Sequence, residues 1–432
     1  MFEKRRKLIK SSVILLLSYL APKTAFAAAS PVLGNKDFIK ELDEVLAGNK
    51  DLVEGNYEIT NPLTISYRSG TAKFSPNFEL KLLNNRATGI VFSRCSNLKL
   101  IGGSFSHKTN PAGRIGHGGI LEFSGCNNVV VQDGVYFQAP ATGLIFTLCN
   151  DCTAQNIQIW DTWADGLHFA NCNNPIALDY SCLNTGDDGL AFVNYGKHPD
   201  ASGGYANNIV VNGSYARGIA IIGQSNVTVE RFYVNGTSGA GVKIGAESYY
   251  KTRIPSNITI KNGVIENAGQ FCATKVNPHG FYSENSSGKI IAENLKISNA
   301  KAHGTLIARH DGDLILKKFD LLNIPSSGIT ATCENADISD ITMANIGTSP
   351  IYFVKVAKAV VSDIKVGTYG TINSSNPLIW ATQAQSLVVS KVQLTAQPRS
   401  VVRIGGSNIN YHSVNDVSSL AGLSAKLLED FK

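Results

Sequence analysis

Charge is scarce in this 432-residue sequence: 17% of residues are charged, against 43% hydrophobic. A disordered chain needs the opposite balance, so the chain is expected to fold. Six cations in the first 28 residues (Lys4, Arg5, Arg6, Lys7, Lys10, Lys23), offset by Glu3, account for +5 of the formal +6 and leave the rest at +1. No basic stripe remains for a phosphate backbone, which excludes nucleic acid as a partner. No apolar run is long enough to span a bilayer. No Cys/His cluster has zinc spacing, so no metal is expected. The 40 glycines show no three-residue period, which excludes collagen, and the Leu-x-x-Leu-x-Leu frame of leucine-rich repeats is missing.

What is present begins with an export signal. A basic start, Lys4 to Lys10, precedes an apolar run, Val13 to Leu20, and then Ala25-Phe26-Ala27-Ala28. This order predicts a secretory peptide cut after Ala27 or Ala28 and a periplasmic or secreted protein. The run Arg5-Arg6-Lys7-Leu8-Ile9-Lys10 looks like a twin-arginine signal, the alternative being an ordinary signal with a basic start.

The body repeats itself. A glycine followed by an apolar-x-apolar triplet recurs at Gly143, Gly166, Gly189, Gly218, Gly241, Gly280, Gly304 and Gly328, at spacings of 23, 23, 29, 23, 39, 24 and 24 residues. Val/Ile-rich second strands follow in step, as in Asn128 to Val131 and Asn226 to Val229. A period near 23 built from short alternating strands predicts an all-β solenoid, a single right-handed parallel β-helix. Cys95, Cys126, Cys149 and Cys172 share one repeat position and are expected to stack inside as free thiols, too far apart for disulfides. Asn97, Asn128, Asn174, Asn226 and Asn257 mark the neighbouring turn. Helical periodicity in Asp37 to Ala47 and in Val414 to Phe431 predicts a capping helix at each end of the solenoid. The expected organisation is signal peptide 1–28, N-terminal cap helix and first coils 29–85, β-helix 86–412 and C-terminal cap helix 413–432.

Function on a β-helix sits in rows of outward side chains. Just before the junction glycine the row reads Thr142, Asp165, Asp188, Arg217, Ala240, His279 and His303, with Asp187 beside Asp188. Two residues after the glycine it reads Ile145, His168, Ala191, Ala220, Lys243 and Tyr282, with Glu122 one coil earlier. Asp165, Asp187 and Asp188 are the candidate catalytic residues. Three carboxylates about a coil apart cannot all ionise freely, and a raised acid beside an ionised carboxylate is equipment for glycosidic cleavage. Candidate substrate contacts are His168, Arg217, Lys243, Glu122, Trp163 and Tyr195, the two aromatics as stacking partners for sugar rings. Insertions at Tyr195–Tyr205, Glu247–Ser256 and Asn267–His279 would wall a groove beside the Asp row. The bland reading is that Asp before Gly is ordinary turn chemistry, with Arg217 merely neutralising it.

The stretch Trp163-Ala-Asp165-Gly followed by Asn184-Thr-Gly-Asp187-Asp188-Gly-Leu-Ala resembles the polygalacturonase-type glycoside hydrolases of the pectin-lyase-like superfamily. The resemblance implies that Asp188 is the general acid and that Asp165 and Asp187 hold and activate the attacking water, with inversion. It stops at two places. Arg217 stands where that family has the histidine of Gly-His-Gly, and Lys243-Ile244-Gly245 stands for its Arg-Ile-Lys. The expected partner is a polysaccharide, acidic ones included, and no cofactor. A rival enzyme reading is a lyase or uronate epimerase, with Arg217 or Lys243 as base and Ca²⁺ on the aspartates. The remaining one is a non-catalytic exopolysaccharide-binding or assembly protein.

Overall fold

The computed structural model describes residues 32–431, apart from 110, 112, 117, 271–276, 371–375, 396–399, 406–410 and 420–425. The export-signal segment and Cys272 lie outside the described residues.

Among the described residues there is one helix and one parallel β-solenoid of about fifteen coils. Each strand pairs in parallel with the strand one coil on. Leu144, Leu167, Leu190, Ile219, Val242 and Phe281 form an inward row, and Ile145, His168, Ala191, Ala220, Lys243 and Tyr282 the outward row beside it. Glu122 joins the outward row one coil before Ile145. This is the register predicted from the glycine spacing.

The interior is a set of ladders. Phe92, Phe123, Phe146, Phe169 and Phe192 stack with centroids 5.0–5.3 Å apart and rings within 20° of parallel. That separation is one coil, near the ~4.8 Å between hydrogen-bonded strands. The Cys row stacks as expected, as buried free thiols. Cys126 Sγ donates to Phe92 O at 3.3 Å, and Cys172 Sγ to Phe146 O at 3.3 Å. The junction glycines are required by close approach. A Cβ on Gly189 would come 2.7 Å from Gly218 O, and one on Gly166 would come 2.7 Å from Gly189 O.

Two rows of left-handed residues turn the corners. Asn97, Asn128, Asn174, Asn226 and Asn257 have φ between 49° and 58°, a region Asn tolerates better than most side chains. Their amides run from coil to coil, Asn128 Nδ2 to Asn97 Oδ1 at 2.7 Å and Asn257 Nδ2 to Asn226 Oδ1 at 3.2 Å. The second row includes Asn208 (φ 59°), Asp363 (φ 56°) and Lys391 (φ 53°). Each sits inside a bent strand, so that the inward residues lie three apart: Ala206 and Ile209, Val361 and Ile364, Val389 and Val392.

This bend corrects one expectation. Val414 to Phe431 is not a capping helix. Tyr411–Ser419 and Lys426–Phe431 are strands that continue the solenoid, with Val389 paired to Val414 and Val392 to Val417. Val414 and Val417 flank Asp416 (φ 53°), and the three-residue spacing that resembles a helical face is the left-handed bend again. At the other end a helix does form, at Asn35–Leu46. It buries Phe38, Leu42 and Val45, and Phe38 meets Tyr57 edge-on at 5.4 Å, covering the first coils. Among the described residues no helix is long and apolar enough to cross a membrane.

Candidate active site

The junction row and its neighbour bring the three aspartates together. One carboxylate oxygen from each of Asp165, Asp187 and Asp188 lies within 4.8 Å of the others. The coil-to-coil ladder sets this spacing, because Gly166 N–H donates to Asp188 O at 2.9 Å and Gly189 N–H to Arg217 O at 2.9 Å.

Their surroundings differ. Asp165 is buried, with Oδ2 on His168 Nδ1 at 2.5 Å and Oδ1 accepting the Asp188 N–H at 2.9 Å. Burial alone would raise its carboxyl, but the His168 bond and charge, with the Asp188 N–H and Arg114, hold it below the ordinary range. Asp188 is buried too, and burial pushes it well above that range. Arg217 pulls it down, while Asp187 and Asp165 push it further up. Asp187 is the most exposed of the three and is raised by desolvation and by Asp165, against Arg217 and Arg114. The cluster therefore holds a fixed anion and a pair that retains a proton.

The structure brings Arg217 and Lys243 to this cluster, Arg217 beside the aspartates as its neutralising reading expects, and adds Glu247 as a shared partner. Arg217 Nε lies 2.9 Å from Asp188 Oδ1, an ion pair without the alignment of a hydrogen bond. Its other end is 3.3 Å from Glu247 Oε1, and Lys243 Nζ is 3.3 Å from the same oxygen. Lys243 also lies over the Tyr282 ring at 5.5 Å. Glu247 belongs to an insertion expected to wall the groove, four residues after Lys243, and that spacing was the available signal. Arg114, on the connection before Gly119–Ser124, reaches Asp187 Oδ2 at 2.6 Å from 73 residues away, and no local pattern announces it.

The remaining candidates divide. His168 shares the cluster, and its Nε2 is buried without a hydrogen-bond partner among the described residues. Tyr195 lies parallel to the His168 ring at 6.5 Å. Trp163 donates Nε1 to Pro111 O at 2.9 Å, so its indole edge anchors the connection that carries Arg114. Glu122 stands on the outward row two coils before His168, outside the aspartate cluster, and its carboxyl is raised by burial. Two of the three insertions, Tyr195–Tyr205 and Glu247–Ser256, meet each other, while residues 271–276 of the third lie outside the described residues. Tyr195 bridges Thr252, Gly196 N–H donates to Lys251 O at 2.9 Å, and Arg253 Nε lies 3.1 Å from Asp200. At their rim Tyr249 and Tyr250 are 88% and 55% exposed, edge to face at 4.9 Å. Tyr250 lies near Arg114 and Tyr195.

No protein-family model and no curated protein matches the chain. Solved structures do. An aspartate-to-alanine variant of the catalytic domain of a GH87 α-1,3-glucanase, in complex with tetrasaccharides, matches at TM-score 0.54 and 15% identity over 77% of this chain and 68% of that one. The same domain with nigerose matches at TM-score 0.52 and 16% identity, over 77% and 67%. The likeness shows a parallel β-helix fold. At this identity the likeness speaks for the fold, and the chemistry has to come from the side chains.

Proposed function

We propose that this chain is an exported glycoside hydrolase acting on a neutral polysaccharide. The observation that carries the reading is the aspartate cluster: within 4.8 Å, one carboxyl is held down and two are pushed up. In the proposed reaction protonated Asp188 gives its proton to the glycosidic oxygen as the bond to the anomeric carbon breaks. A water held between Asp187 and Asp165 attacks that carbon and passes its proton to Asp187. The sugar leaves with a new hydroxyl, and the two carboxyls have exchanged protonation states.

Charge balance favours a neutral sugar. With Asp188 protonated, the anions Asp165, Asp187 and Glu247 face the cations Arg114, Arg217 and Lys243, and each cation already has a carboxylate partner. A uronate carboxylate would have to displace one of them. The GH87 neighbours make α-1,3-glucan the first polymer to try. Export rests on the Lys4 to Ala28 signal.

The lyase or epimerase reading needs a base with a lowered pKa. Arg217 goes the other way: burial lowers it, but Asp188, Glu247, Asp187 and Asp165 outweigh that and raise it. A Ca²⁺ on the aspartates, whose oxygens do lie within 4.8 Å of one another, would have to compete with Arg114 and Arg217 for them. The deciding experiment incubates the mature chain and Asp188→Asn with acidic and neutral polysaccharides, reading reducing ends and ultraviolet absorbance together. Reducing ends without absorbance, lost in the variant, support hydrolysis. Absorbance of an unsaturated product would favour a lyase. Silence across the panel would leave a binding or assembly role.

A further inference from the structure

The outward row that carries His168 and Lys243 does not end at Tyr282. Pairing continues it without a break through Leu306, Thr330, Tyr352, Trp380 and Arg403. Tyr352 and Trp380 are part-exposed, and their rings meet at 5.3 Å. Arg309 is paired to Glu284. Burial and the His303 charge push His279 down to about 3, and burial lowers His303, so both imidazoles are neutral at pH 7. Thr330 Oγ1 is bonded to His303 Nδ1 at 3.1 Å.

The geometry points to a remote, non-catalytic binding strip for the polysaccharide chain, with Tyr352 and Trp380 as its stacking platform. This rests on the polysaccharide reading above. From Ala191, on the coil of the aspartate pair, to Trp380 there are seven coil-to-coil steps, or roughly 34 Å at ~4.8 Å each. A ligand following this row lies along the solenoid axis and spans several sugar rings. Flat aromatics with a polar edge suit the apolar faces and hydroxyl rims of neutral pyranoses. A peptide would be a poor occupant. The main-chain groups of these strands are spent on coil-to-coil bonds, which leaves none for an added strand.

The test uses the full mature chain as Asp188→Asn, to suppress turnover, with and without Tyr352→Ala and Trp380→Ala together. Binding is measured by calorimetry against nigerose and by affinity electrophoresis against solubilised α-1,3-glucan, dextran, laminarin and xylan. The proposal expects about tenfold weaker binding of at least one polymer, with nigerose binding and the melting temperature unchanged. Unchanged polymer affinity, an equal loss for nigerose, or no polymer bound by the parent would overturn it. Failure of the hydrolase reading looks different: reducing-end release would survive Asp188→Asn or be missing from the wild type, while dependence of polymer binding on Trp380 would stand.

Discussion

Asp165 Oδ1 accepts the backbone N–H of Asp188 at 2.9 Å, so the ionised residue of one coil holds the backbone that carries the acid of the next. The pattern repeats one coil on, where Asp188 Oδ1 accepts the Arg217 N–H at 2.9 Å. The junction carboxylates are thus turn residues as well as members of the proposed acid–base cluster. The turn role explains why they stand before glycine, and the neighbouring carboxylates explain why their proton affinities are pushed apart.

Asp188→Asn is expected to abolish turnover and to stabilise the fold at neutral pH. A carboxyl whose folded pKa is raised adds stability below its unfolded value, about 3.9, and loses it as pH rises through the raised folded value. At pH 7 the burial of Asp188 is therefore a cost, which asparagine removes while keeping an oxygen for the Arg217 N–H. Melting curves at pH 4 and pH 7 check this: the variant should gain on the wild type at pH 7 and lose that gain at pH 4. A lower melting point at pH 7 would mean that the Arg217 ion pair outweighs the burial.

Arg114→Gln should move the acid limb of the pH–rate profile. Arg114 lowers Asp187 by hydrogen bond and charge, so its removal lets burial and Asp165 raise Asp187 further. If ionised Asp187 takes the proton from water, the acid limb shifts to higher pH while the maximal rate survives. The limbs belong to the coupled Asp187–Asp188 pair rather than to either residue. Rates measured from pH 3 to 9 on both enzymes decide it, and an unmoved acid limb would remove Asp187 from that role.

The solenoid, the outward row and the three aspartates were legible because they repeat: a fixed glycine interval sets the register, and the register places Asp165 and Asp188 on adjacent coils. What did not repeat was invisible. Arg114 reaches Asp187 from 73 residues away, outside the repeated strands. Glu247 sits in an insertion recognised by its length, and its place four residues after Lys243 was its one local signal. Val414 to Phe431 misled because a left-handed residue such as Asp416 puts inward residues three apart, a spacing that helices share.

The Phe ladder should dominate stability. Phe146 is fully buried between Phe123 and Phe169, at 5.0 and 5.3 Å. Phe146→Ala opens a void that neighbouring coils, tied by their own hydrogen bonds, cannot close, and should cost about 3–5 kcal/mol. Chemical denaturation read by far-ultraviolet circular dichroism measures this. Phe146→Leu, which refills most of the volume, should recover the larger part, and equal losses in the two variants would mean that stacking matters more than volume.

Tyr249 and Tyr250 should bind substrate without taking part in cleavage. They are the exposed tip of the insertion that supplies Glu247, yet no step of the proton-transfer scheme needs them, so losing them removes binding that ground state and transition state share. The paired change Tyr249→Ala and Tyr250→Ala is expected to raise KM about three- to tenfold at unchanged kcat. Steady-state rates over a range of polymer concentrations give both constants. A fall in kcat at constant KM would instead mean that the rim positions the sugar against Asp188, through Arg114 or Tyr195.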